Sequence, residues 1–215
     1  MKYDVYMEQY NKIGYGPHGI IQIKNFVEEV DLEDLSTFLH TVEDGIIRRE
    51  QCPKEIADTL SRYEEKTYAE VVANISDKYD IPVVPEPTNR AQLVKWGMLK
   101  GFAMRPHSDA ETPDRQPAIA GGFYRFNVTA IAYLTDNYLG GEIRFPEFDI
   151  TLKPRAGDLL LFPSRYRHEI KQYISGERYT MPMFFTFDVE DPFTDEEREQ
   201  VGSGNMSDIL FDWPS

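Results

Sequence analysis

From about residue 90 onward, short apolar runs at 92–104, 118–135, 142–145, 148–152, 158–162 and 179–187 are separated by Gly, Pro, Asn and Asp. Such runs suit strands better than helices with one buried face, and the punctuation between them is turn chemistry. Evenly spaced short strands predict an antiparallel sandwich or barrel. The aromatic content agrees, because 13 Tyr and 13 Phe in 215 residues favour pleated, half-buried surfaces.

The first part of the chain reads differently. Residues 19–26 alternate like a strand. Asp31 then suggests an N-cap, with Leu32, Leu35, Leu39 and Val42 at near-helical spacing and Gly45 as a C′ stop. Pro53 suits the first position of a further helical stretch, whose apolar face is Ile56, Leu60 and Tyr63, then Tyr68, Val71, Val72 and Ile75, ending near Tyr79. Pro82, Pro85 and Pro87 form a stiff connector. The expected plan is one domain: a strand and helical part over 1–89, a β core over 90–188 and an acidic tail over 189–215.

Charge and cysteine content narrow the function. Lys and Arg number 23 against 37 Asp and Glu, a formal net charge of −14. Neutralising many phosphates needs the opposite sign, so broad nucleic-acid binding and docking on anionic membranes are disfavoured. The single cysteine, Cys52, excludes an internal disulfide and a thiolate zinc site. The start MKYDVYMEQY has neither a basic n-region nor an apolar h-region, so a cytoplasmic protein is expected. No apolar run approaches the roughly 20 residues that span a bilayer. Phosphate-loop, dinucleotide and nucleophile-elbow motifs are absent from the sequence.

The chain has only four histidines: His18, His40, His107 and His168. His107-Ser108-Asp109 would place an imidazole and a carboxylate on one side of a strand, because positions i and i+2 share a face. His168, delivered by a later strand, would complete two His and one carboxylate. That set leaves positions open on an octahedral metal and is the arrangement of non-haem Fe(II) oxygenases. Arg178 follows, with Thr180 two residues on. A guanidinium is the natural partner of a buried carboxylate, and the Thr hydroxyl could add a donor. His18 reads as a loop histidine and His40 as one on the polar side of the first helix. Arg165-Tyr166-Arg167 fits a solvated turn or a substrate-facing patch, and Glu142 with Arg144 could line the mouth of a site.

Taken in order, His107-x-Asp109, Tyr133-Leu134-Thr135, Gly140-Gly141-Glu142-Ile143-Arg144-Phe145-Pro146, Lys153-Pro154-Arg155-Ala156-Gly157-Asp158, His168 and Gly176-x-Arg178 resemble the Fe(II)/2-oxoglutarate-dependent dioxygenases of the prolyl 4-hydroxylase-like branch. The resemblance covers roughly residues 90–188, and a strand running through Asn25-Phe26 into a helix is similar as well. It implies a mainly β fold, a double-stranded β-helix (jelly-roll) core with N-terminal helices packed outside. It implies His107, Asp109 and His168 as iron ligands and Arg178 as the clamp on the 5-carboxylate of 2-oxoglutarate. Tyr133 would reach that carboxylate too, or serve as plain core. Thr135 departs from the Asn usual in the branch. The implied cofactors are Fe(II), 2-oxoglutarate and O2.

The implied reaction is hydroxylation of a C–H bond with release of succinate and CO2. A prolyl residue in a peptide or protein is the first expectation for the substrate, and a small molecule or free amino acid the alternative. A non-enzymatic cupin-like module and nucleic-acid demethylation rank lower. Residues 110–116 are expected to form a lid.

Overall fold

The computed structural model describes residues 11–85, 87, 90–96, 103–110 and 127–188. Its strands are β1 (Ile21–Ile23), β2 (Gly45–Ile47), β3 (Leu93–Lys95), β4 (Met104–His107), β5 (Val128–Tyr133), β6 (Leu139–Gly140), β7 (Ile143–Phe145), β8 (Ile150–Leu152), β9 (Leu159–Pro163), β10 (His168–Ile170), β11 (Tyr173–Ser175) and β12 (Tyr179–Phe185). Six form a major sheet in the order β1-β9-β5-β12-β3-β2. Four form a minor sheet, β4-β10-β7-β8, and β11 pairs with β6 in a small ribbon. All pairings are antiparallel. This is the double-stranded β-helix expected from the sequence.

Strand β9 shows how the layers are built. All five of its residues are buried, so it has no solvent face, as a strand covered on both sides requires. Side chains alternate along a strand. Leu159 and Leu161 join Ala130, Ala132, Met181, Met183 and Phe185 in a core shared with the helices. Leu160 and Phe162 turn the other way, into a cluster with Tyr133, Ile143, Phe145, Tyr166 and Ile170 between the sheets. Truncating one of these leucines to Ala would cost about 2–5 kcal/mol.

Two helices coat the outer face of the major sheet, α1 (Glu29–His40) and α2 (Lys54–Val71). α2 buries Ile56, Leu60, Tyr63 and Val71 and runs through a π-helical stretch, Val72–Ser76, into Asp77–Tyr79. Several boundaries differ from expectation. Glu28, not Asp31, is the N-cap of α1. Asp31 lies in the first turn, where its carboxylate accepts from the Tyr63 hydroxyl (2.6 Å) and from Arg62 (2.7 Å), tying α1 to α2. α1 ends at His40 with Thr41 as its C-cap, and Gly45 begins β2 instead of stopping the helix. Pro53 is the N-cap of α2, one position earlier than predicted. The predicted 19–26 strand is ordered as β over Ile21–Ile23 only.

Pro182 lies within β12, where proline would normally break a ladder. It is tolerated because β3 pairs only with Tyr179 and Thr180. Among the described residues, β12 is open on that side at Pro182. No described helix is long and apolar enough to cross a membrane. The tail beyond residue 188 and the lid expected at 110–116, apart from Ala110, lie outside the described residues.

Candidate metal and cosubstrate site

His107 ends β4 and His168 begins β10, and the two are register partners. Their rings lie 4.3 Å apart, centre to centre. Asp109 Oδ1 is 3.6 Å from His107 Nε2 and Asp109 Oδ2 is 3.8 Å from His168 Nε2. One ligand atom from each of the three residues falls within 4.8 Å of the others, so the set can close on a single ion.

The carboxylate arrives by a different route from the one the spacing predicted. β4 stops at His107, and Asp109 sits in the following turn, so shared strand geometry does not aim it. Hydroxyls do. Ser108 is buried and donates to the Ser164 carbonyl (2.9 Å), which also accepts the Ala110 amide (3.3 Å). Thr129 on β5 donates to Asp109 Oδ2 at 2.7 Å. Its hydrogen is thereby committed, so the Ser164 hydroxyl, 2.8 Å away, donates to Thr129. Thr129 and Ser164 have no signature in the sequence. Only the meeting of β5 with the end of β9 reveals them.

Both imidazoles are held by one device. Each Nδ1–H donates to the backbone carbonyl two residues earlier, His107 to Arg105 (2.9 Å) and His168 to Tyr166 (3.1 Å). That fixes the tautomer and leaves Nε2 with a free lone pair toward Asp109. Burial pushes the His168 pKa down to about 4, with Asp109 opposing and His107 adding to the fall, so the ring is neutral near pH 7. At His107 burial also acts downward, but the hydrogen bond and charge of Asp109 outweigh it and the pKa lies above the ordinary value. Burial acts to raise the Asp109 pKa. The two histidines and Thr129 more than offset it, so the carboxyl lies below the usual range.

Arg178, just ahead of β12, is 3% exposed, and its Nε donates to the Gly141 carbonyl at 3.1 Å. Its guanidinium carbon lies 5.3 Å from the Tyr133 ring centre and 5.9 Å from that of Tyr138. The Tyr133 hydroxyl is buried and meets no hydrogen-bond partner. Burial raises its pKa, with Arg178 opposing, so it remains a protonated donor. Thr180 is the register partner of Tyr133 and is buried on the same sheet. Thr135 fastens the loop after β5: its hydroxyl donates to the Glu177 carbonyl (2.6 Å) and accepts the Tyr179 amide (3.0 Å). Gly140 and Gly141 turn the chain beside Arg178 at φ of 73° and 68°.

The residues therefore fit the implied groups. A thiolate-free N,N,O set suits a ferrous ion with open positions. A buried cation beside an orphaned phenolic hydroxyl suits a carboxylate.

The remaining candidates lie elsewhere. His18 is bonded to the Ile13 carbonyl (2.8 Å), and His40 pairs with Glu177 (2.8 Å). Arg165 and Arg167 donate to the Gly14 and Pro106 carbonyls and Tyr166 is fully buried between them, so this is a half-buried turn and not the solvated one expected. Arg144 turns away from the interior to Glu169 (3.1 Å) and Asp149 (3.7 Å), so it does not line the mouth.

Fold and site together define a class, and the sequence agrees. Residues 91–186 match the family model of the 2OG-Fe(II) oxygenase superfamily, which supports a 2-oxoglutarate-dependent dioxygenase. Chemistry of this family draws on Fe(II), 2-oxoglutarate and O2. Among solved structures the chain is similar to a viral collagen prolyl hydroxylase from Paramecium bursaria Chlorella virus-1 in complex with 2OG. Identity is 17%, the TM-score 0.58, and the match covers 80% of this chain and 97% of that one. It is also similar to a Pseudomonas putida prolyl-4-hydroxylase, at 17% identity and a TM-score of 0.56 over 86% of this chain and 98% of that one. A third is a Trichoplax adhaerens prolyl hydroxylase in complex with a hypoxia inducible factor peptide fragment, at 16% identity and a TM-score of 0.57 over 93% of each chain. At these identities the likeness is one of fold. No curated protein matches the chain.

Proposed function

We propose that the chain hydroxylates a prolyl C–H bond in a peptide or protein, with Fe(II) held by His107, Asp109 and His168 and 2-oxoglutarate anchored on Arg178. The observation that carries this reading is the convergence of three ligand atoms within 4.8 Å in a β core that also buries the Arg178 guanidinium. The prolyl substrate is supported by the named activities of the similar structures.

Bound together, the metal, 2-oxoglutarate and O2 supply the oxidising chemistry, in which decarboxylation to succinate and CO2 accompanies hydroxylation of the substrate. The protein's part is positional. The Arg105 and Tyr166 carbonyls keep both Nδ1 protons away from the metal face. The Thr129 hydroxyl holds one oxygen of Asp109. Phe162 and Phe145 pack against the His168 ring at 4.9 and 6.0 Å and keep water off its back. Arg178 and Tyr133 receive the far carboxylate, with Thr180 beside them.

The test is succinate release from 2-oxoglutarate with Fe(II), driven by a panel of proline-containing peptides and of free amino acids. Peptide-stimulated turnover with a one-oxygen mass gain on proline supports the reading. Stimulation by free amino acids alone would move the assignment to a small-molecule hydroxylase.

A further inference from the structure

We propose that Tyr138 is a further binding residue of this site: its hydroxyl is a second phenolic donor to the far carboxylate of the cosubstrate, beside Tyr133 and Arg178. The inference rests on the reading of the site given above and adds a residue to it.

Tyr138 lies in the loop between β5 and β6 and is 3% exposed, yet its hydroxyl meets no hydrogen-bond partner. The rest of the residue is tightly held. Its carbonyl accepts from Lys153 Nζ at 2.6 Å, and the same ammonium lies 4.7 Å from the ring centre. A Cβ on Gly176 would stand 2.4 Å from the Asn137 carbonyl oxygen and 2.6 Å from Tyr138 Cα. Only glycine lets the segment leading into Arg178 run against the Tyr138 backbone. A Cβ on Gly141 would lie 3.1 Å from Arg178 Cδ and 3.5 Å from Tyr138 Cδ2. Two glycines and the Thr135 hydroxyl thus hold the phenol and the guanidinium together.

A buried hydroxyl without a partner is destabilising, and native structures rarely keep one without a use. Here two such hydroxyls, of Tyr133 and Tyr138, flank one buried cation. Burial raises the Tyr138 pKa to about 12, with Arg178 opposing, so the phenol remains a hydrogen-bond donor and does not become the arginine's counter-ion. A carboxylate accepts at about four positions and can take a guanidinium and two phenols together. The three groups discriminate for a cosubstrate that ends in a carboxylate and against one that ends in a methyl group.

The test uses full-length Mn(II)-loaded protein without oxygen, titrated calorimetrically with 2-oxoglutarate and with 2-oxopentanoate, which keeps the 2-oxo acid but lacks the far carboxylate. Y138F should weaken 2-oxoglutarate binding roughly tenfold or more and leave 2-oxopentanoate binding unchanged. Its ligand-free Tm should equal or exceed that of the parent, because the hydroxyl removed has no partner in the free protein. Equal loss for both acids, or a lowered Tm with unchanged binding, would make Tyr138 purely structural and overturn the proposal. Normal binding of 2-oxoglutarate by Y138F sinks the role of the tyrosine alone. Failure of the parent protein to bind 2-oxoglutarate sinks the reading of the whole site.

Discussion

His107 and His168 face one another as register partners on the antiparallel strands β4 and β10. The distance between the two imidazoles is therefore set by a ladder and not by a loop. A slip of one residue would send one ring to the opposite face, so metal binding reports directly on the pairing of the minor sheet.

Replacing His107, Asp109 or His168 by Ala should abolish stoichiometric binding of Fe(II) or of Co(II) as a spectroscopic stand-in. Anaerobic metal titration followed by elemental analysis checks this. Undiminished metal affinity in any of the three variants would remove that residue from the ligand set.

Thr129→Val keeps the shape of the side chain and deletes the hydrogen bond to Asp109. Loss of an outer-shell partner of this kind typically weakens metal affinity 10–100-fold. Thr129→Ser should restore most of it, because the hydroxyl returns. Competition titration with a chelator of known strength separates these outcomes.

Arg178→Met should raise the KM for 2-oxoglutarate far more than it lowers Tm. Truncating one member of a buried charge pair costs about 2–5 kcal/mol, or roughly 30-fold and upward in affinity. Steady-state kinetics at saturating peptide, with a melting curve of the same preparation, checks both terms.

Acid should act on the two histidines differently. The His107 pKa is raised, so this ring takes a proton first on acidification, and metal affinity should begin to fall while His168 is still neutral. For the metal-free protein the signs separate. The contribution of His107 is fully present below the unfolded pKa of about 6.5 and is lost as pH rises through the folded value. His168, with a folded pKa of about 4, refuses a proton that the unfolded chain accepts, so its term lowers stability as pH falls from about 6.5 toward 4. The slope is at most about 1.4 kcal/mol per pH unit. Urea midpoints across this window, for the parent and for His168→Gln, should differ in slope, with the variant flatter.

The long apolar runs were readable before the structure was known. 158–162 and 179–187 became β9 and β12, and the end of 118–135 became β5, because a short continuous apolar run bounded by turn residues marks a strand covered on both faces. β2, β6 and β11 were not readable, since strands of two or three residues exist only through a neighbour. β10 has no apolar run of its own and was expected only through the ligand reading of His168: His168-Glu169-Ile170 carries one apolar residue and is a strand by virtue of β4 and β7. Asp31 looks like a cap locally but is claimed by Tyr63 and Arg62 from another helix. At the site, the convergence of His107, Asp109 and His168 was legible, and Arg178 and Tyr133, named from the family resemblance, lie buried beside one another. Thr129, Ser164 and Tyr138 were not, because each acquires its place from a segment far away in sequence.

The alternation along β9 has a consequence for how such a molecule can change over time. Leu159 and Leu161 belong to the helical coat, while Leu160 and Phe162 belong to the chamber that holds the histidines. One backbone therefore answers to two independent neighbourhoods. Substitutions at one set of positions can drift along with the helices while the other set stays under the discipline of the chamber, so a lineage can reupholster its exterior and leave the hearth undisturbed.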